Sequence, residues 1–145
     1  MAFVDLAQAY ADFAAANSQT DWDNIRDTYL DDQVVLFNYD IPAGQAGHVI
    51  GPGKQLVIDE LKRVRADIQQ YWPPTSVELP PLDPVGLVPG GAAVDRLKLQ
   101  QTAGGTPRHV RRIQRGPHSC TDLFKFNTAN PGKILEIHYC VADGP

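Results

Sequence analysis

Residues 120–142, CTDLFKFNTANPGKILEIHYCVA, decide how the rest of the chain is read. The alternation of apolar and polar residues on either side of Thr128 to Gly132 predicts two antiparallel strands joined by a turn. Side chains alternate along a strand, so Cys120, Asp122, Phe124 and Phe126 share a face. A carboxylate thus stands beside two phenylalanines. On a wet surface that means little. In a closed cavity an ionised carboxylate loses its hydration, and the cost favours a group that holds or hands over a proton near neutral pH. The expectation is that Asp122 lines a pocket.

The 145 residues suggest one domain, 1–145, with one core. The chain is 43% hydrophobic and 21% charged, as in globular proteins. A net charge of −4 argues against a nucleic-acid binder. No apolar run reaches the roughly 18–20 residues of a membrane span, and the first residues lack a basic signal-like start. A cytoplasmic protein is expected. Cys120 and Cys140 fall on neighbouring strands and read as two buried thiols rather than a disulfide. Neither CxxC nor HExxH occurs, so no metal site is expected. Gly51-Pro52-Gly53-Lys54 lacks the first glycine of a P-loop, and reads as a helix start.

Upstream, Phe3, Leu6, Tyr10 and Phe13 recur at helical spacing and predict a helix over 3–17. A second helix is expected from Thr20 as N-cap, with Asp23 in the capping-box position and Trp22, Ile25 and Tyr29 as its buried stripe. Gln33 to Asp40 changes to strand period, with Val34, Leu36, Asn38 and Asp40 on one face and Val35, Phe37 and Tyr39 on the other. His48 to Ile50 pairs back as a short strand. A third helix covers roughly 53–71 and ends at Pro73-Pro74. The proline- and glycine-dense stretch 73–91 leaves an interrupted edge strand, Ser76 to Leu79, and a flap or rigid wrap. Strands follow: 93–101 paired with 108–115, then the two of the opening stretch. This order predicts an α+β fold, a curved, mostly antiparallel sheet with three helices on one side enclosing a conical pocket.

Three segments carry a resemblance. DWDNIRDTYLDD (21–32) ends in an acidic pair before a strand. Asp40 precedes Ile-Pro-Ala-Gly. Asp122-Leu-Phe-Lys-Phe-Asn leads to Gly132-Lys133 and Ile134-Leu135. Together they resemble the NTF2-like superfamily, in its ketosteroid-isomerase and SnoaL-like polyketide-cyclase branches. The resemblance implies an NTF2-like cone without a cofactor. It implies Asp40 at the position of an isomerase's general base, and Asp122 at that of an oxyanion-hole acid or a cyclase acid/base. Tyr10 is the nearest counterpart of the isomerases' oxyanion tyrosine, offset along the first helix. The scaffold also hosts epoxide hydrolases, dehydratases and non-catalytic binders, so the fold alone does not assign a reaction.

Asp122 and Asp40 are therefore the candidate acid/base pair. Each has a structural alternative, a backbone contact at a bulge or a turn cap. Asn38 and Tyr139 are candidates to orient substrate, and Tyr10 to meet a developing oxyanion; Tyr10 also fits a core tyrosine with its hydroxyl at the rim. Phe124, Cys120 and His118 share the alternation of Asp122 and complete the expected substrate wall; His118 equally fits a surface turn. His48 is placed near the pocket mouth and His138 on the outer sheet face. Arg108, Arg111, Arg112 and Arg115 form a basic strand, suited to solvent, a dimer face, a substrate carboxylate or an acidic acyl carrier protein. An epoxide-hydrolase set from Asp95 and Arg96 is disfavoured, because adjacent strand residues face opposite sides. The expectation is a homodimeric polyketide cyclase or isomerase of secondary metabolism acting on an apolar substrate. The other readings are an epoxide hydrolase or dehydratase, or a ligand-binding or assembly module.

Overall fold

The computed structural model describes residues 3–39, 41–71, 76–78, 94–100, 119–128 and 131–142, with side chains for 3–39, 41–66, 122–128 and 131–139. In chain order the elements are α1 (Leu6–Ala15), α2 (Gln19–Tyr29), β1 (Leu30–Asn38), β2 (Val49–Ile50), α3 (Lys54–Tyr71), β3 (Ser76–Glu78), β4 (Val94–Gln100), β5 (Ser119–Phe126) and β6 (Ile134–Ala142).

Local chemistry sets the helix bounds. Asp5 caps α1 by accepting from the Gln8 amide, so Phe3 and Val4 stay extended instead of joining the helix expected from residue 3. They bridge to Gly132, whose carbonyl accepts from the Val4 amide at 3.0 Å. Ser18, not Thr20, caps α2, and its hydroxyl accepts from the Asp21 amide. Asp21 reaches back to the Asn17 amide at 3.0 Å, which fixes the cap two residues earlier than expected. α2 runs straight into β1, which begins at Leu30 rather than Gln33.

Among the described residues the sheet has six strands in the order β2-β1-β6-β5-β4-β3. Four neighbouring pairs are antiparallel, while β1 and β6 run parallel. Among the described strands, the mixed sheet does not close on itself. β2 returns on β1 as expected, with Leu36 opposite Ile50. β3 is the short strand anticipated at the edge. β4 meets β5 along its whole length; the strand expected over 108–115 lies outside the described residues. Cys120 stands opposite Ala142, so the two cysteines are offset along β5 and β6.

One face of the sheet carries the core. Val34, Leu36, Phe124, Phe126, Ile134, Ile137 and Tyr139 pack with Trp22 and Ile25 of α2 and Val57, Ile58 and Val64 of α3. The register of β6 slips beside Leu135, which brings Ile134 to the same face as Ile137. Polar latches fix the layers. Asp27 and Asp32 both meet Lys54 at 3.1 Å, joining α2 and β1 to the start of α3. Asp31 accepts from the Asn127 side chain at the end of β5, and Asn127 in turn accepts from the Lys133 amide. The acidic pair 31–32 is thus a structural clamp. Gly51 is needed where it stands: its φ is +113° and a Cβ would come 2.8 Å from the Val34 carbonyl.

Candidate active site

An apolar pocket opens between the helices and the inner sheet face. α1 contributes Leu6, Ala9, Tyr10 and Phe13, α2 Ile25 and Tyr29, and α3 Leu61 and Val64. β5 contributes Asp122 and Phe124, β6 Ile134, Ile137 and Tyr139, and Leu30 completes the wall. Its volume is about 70 Å³ and its walls are almost wholly carbon. At roughly 10–15 Å³ per water, that space holds a handful of waters or one small ring.

Asp122 is 4% exposed and stands in this wall beside Phe124. The alternation of β5 is what puts it there: 122, 124 and 126 are buried, while 123 and 125 are half-buried. Tyr139, 5% exposed, faces the same space from β6, and Tyr10 reaches it from α1. The structure therefore brings together Asp122, Phe124, Tyr10 and Tyr139. Asn38 is fully buried on the inner face of β1 but is not among the described residues of the pocket wall. Asp40 and His118 lie outside the described residues, as does the side chain of Cys120.

His48 clamps the turn that follows β1. Its Nδ1 lies 2.9 Å from the Asn38 carbonyl and 2.8 Å from the Ile41 carbonyl. Both carbonyls only accept, so Nδ1 must carry the hydrogen. The His48 carbonyl accepts from the Asn38 amide at 2.8 Å. His48 thus ties the end of β1 to Ile41.

The sequence pattern placed Tyr29 only in the buried stripe of α2. The structure makes it a pocket wall as well, and its hydroxyl donates to Asp12 on α1 at 2.5 Å. Burial, helped by the Asp12 bond, pushes the phenol up to about 12. The same bond, with a second from Gln8, holds the Asp12 carboxyl below its ordinary value. A tyrosine and an aspartate 17 positions apart carry no local signal of this pairing.

The outer face carries a separate polar chain. The Tyr39 hydroxyl meets His138 Nδ1 at 2.9 Å, His138 Nε2 meets Glu136 at 3.0 Å, and Glu136 meets Lys125 at 3.1 Å. Phe37 stacks flat on His138 with centroids 4.6 Å apart. For Glu136, burial raises the pKa, but the bonds from His138 and Lys125 prevail and leave it lowered. His138 points outward, as its position after Ile137 implied.

Neither a family profile nor a curated protein sequence matches the chain. Solved structures do. A ketosteroid isomerase-like protein from Erwinia carotovora atroseptica aligns over 97% of this chain and 95% of its own, at 17% identity and a TM-score of 0.52. An NTF2-like protein from Exiguobacterium aligns over 96% and 98%, at 15% identity and TM-score 0.53. A de novo designed NTF2-fold protein aligns over 95% and 82%, at 14% identity and TM-score 0.52. The chain has the NTF2-like fold. A designed protein shares that scaffold, so a reaction must be argued from the site. Among the described residues, no helix is long and apolar enough to cross a membrane, and no cluster of ligating side chains could hold a metal ion.

Proposed function

We propose that the pocket binds a largely apolar small molecule and that Asp122 moves a proton on it, as an isomerase or a SnoaL-like cyclase of polyketide-type substrates would. One observation carries this reading: a carboxyl only 4% exposed in a wall of carbon. Burying a carboxyl is costly unless hydrogen bonds or charges offset it, and buried acids in pockets concentrate at functional sites. Tyr10 and Tyr139 stand in the same wall, and their hydroxyls are the proposed groups to polarise a carbonyl. Asp40 is the proposed second carboxyl, and Asn38, Cys120 and His118 are proposed to help position substrate. The likeness in fold to an isomerase-like protein agrees with this chemistry without assigning it.

The pocket's volume takes a ring-sized part of such a substrate, the remainder lying toward the mouth. The chemistry needs no cofactor, and ring closure can also be driven by shape, by folding a flexible chain into a reactive conformer. A curved sheet enclosing the site, a homodimer through the outer sheet face, an acyl carrier protein docked on the arginines of 108–115 and a cytoplasmic location belong to the same proposal.

The test compares turnover and binding of apolar β-keto substrates in the parent, Asp122→Asn and Asp40→Asn. Lost turnover with retained binding supports proton transfer. Retained turnover in both variants replaces it with templating, and binding without turnover in the parent makes the protein a carrier or assembly module.

A further inference from the structure

The geometry points to a proton-operated switch on the outer sheet face: protonating His138 reverses its hydrogen bond with Tyr39, and the exposed Tyr39 hydroxyl passes from donating inward to donating outward. The switch does not depend on the pocket. Counting hydrogens fixes both states. Glu136 meets Lys125 through Oε2 at 3.1 Å and His138 Nε2 through Oε1 at 3.0 Å. Its pKa is lowered, so near neutral pH it is a carboxylate and only accepts. The hydrogen of the Glu136–His138 bond therefore sits on Nε2. A neutral imidazole carries one such hydrogen, which leaves Nδ1 an acceptor, so the Tyr39 hydroxyl 2.9 Å away donates to it. An imidazolium carries hydrogens on both nitrogens. Nδ1 then donates to the Tyr39 oxygen, and the phenol hydrogen turns elsewhere.

The surroundings suit this role. Phe37 stacks on His138 with 4° between the ring planes, which holds the imidazole in one orientation and each nitrogen beside its partner. Tyr39 is 40% exposed, so a released hydrogen can turn to solvent. Among the described residues, the titratable and charged groups around His138 are Tyr39 of β1 and Glu136 of its own strand, with Lys125 of β5 behind Glu136 and His48 against the Tyr39 ring. His48 is built differently. Its Nδ1 hydrogen goes to backbone carbonyls, which accept in either state, so a proton on its Nε2 leaves those bonds unchanged. Acidification thus rewires the outer face, adding a positive charge and an outward donor there, and leaves the His48 turn as it is.

The test follows the histidine ring nitrogens and the Tyr39 ring of the full chain by NMR, from about pH 8.5 to about pH 5. Above the His138 midpoint the ring is expected as the Nε2–H tautomer, and below it with both nitrogens protonated. The oxygen-bearing ring carbon of Tyr39 is expected to shift with the same midpoint. Tyr39→Phe is expected to keep the Nε2–H tautomer, because Glu136 sets it, and His138→Gln to abolish the Tyr39 shift. An Nδ1–H tautomer in the parent above the midpoint, or its appearance in Tyr39→Phe, overturns the switch. So does a Tyr39 signal that does not move with His138, or one whose shift persists in His138→Gln and therefore reports His48 instead.

Discussion

Glu136 and Asp122 are acids on neighbouring strands that face opposite sides of the sheet. Outside, Glu136 is met by His138 and Lys125, and its pKa is lowered. Inside, Asp122 is set among Phe124, Ile137 and Leu61 in a wall of carbon. The outer acid is stabilised by company and belongs to a surface chain running from Tyr39 to Lys125. The inner acid lines an apolar pocket. The difference teaches that residue type does not give a carboxyl its role; the face of the strand does. One shift in register would exchange their environments.

The contrast can be broken first through packing. Phe126 is fully buried on the inner face, and Phe126→Ala is expected to lose about 3–5 kcal/mol in chemical denaturation. Phe37, half-buried and stacked on His138 outside, should lose only about 1–2 kcal/mol on change to Ala. Equal losses would mean that the outer face is as much a core as the inner one.

Tyr29→Phe removes one bond inside the helix layer and is expected to cost about 1 kcal/mol near neutral pH. The folded-state pKa of Tyr29 lies above its unfolded value, so this stability is present below pH 10 and is lost as pH rises through about 12. Parent and variant should therefore converge in alkaline denaturation. The sign reverses for Asp12, whose folded pKa is lowered. Its stabilisation is present above about 3.8 and fades as pH falls below that value, so Asp12→Asn should narrow the gap in acid.

The smallest effect is expected outside. Glu136→Gln should cost less than about 1 kcal/mol, and the loss should shrink as salt is added. A larger, salt-insensitive loss would show that the outer chain is buried in solution, as a dimer face would be.

Much of this arrangement was legible in the sequence. Strict alternation placed Val34, Leu36 and Asn38 of β1 and Asp122, Phe124 and Phe126 of β5 on the inner face, where they lie. Alternation failed on β6, because counting by two separates Ile134 from Ile137 and Tyr139. The irregularity beside Leu135 reunites them, and a bulge leaves no mark in an apolar pattern. The start of α2 was misplaced because Ser18 and Thr20 are both competent caps; Asp21, bonding back to Asn17, settled it. The Tyr29–Asp12 bond and the Asp31–Asn127 latch were illegible for another reason. Each joins side chains far apart in the chain, and only packing brings them together.

The central claim is that the inner face, not the outer, receives an apolar ligand beside Asp122. Methyl NMR during titration with cyclohexanol tests it most directly, because both faces carry methyl reporters. The account predicts shifts at Ile25, Leu61, Val64, Ile134 and Ile137, which line the pocket, with Val35 and the exposed Val49 unmoved. Shifts confined to Val35 and Val49, or none at any of these methyls up to the solubility limit of the probe, would contradict it.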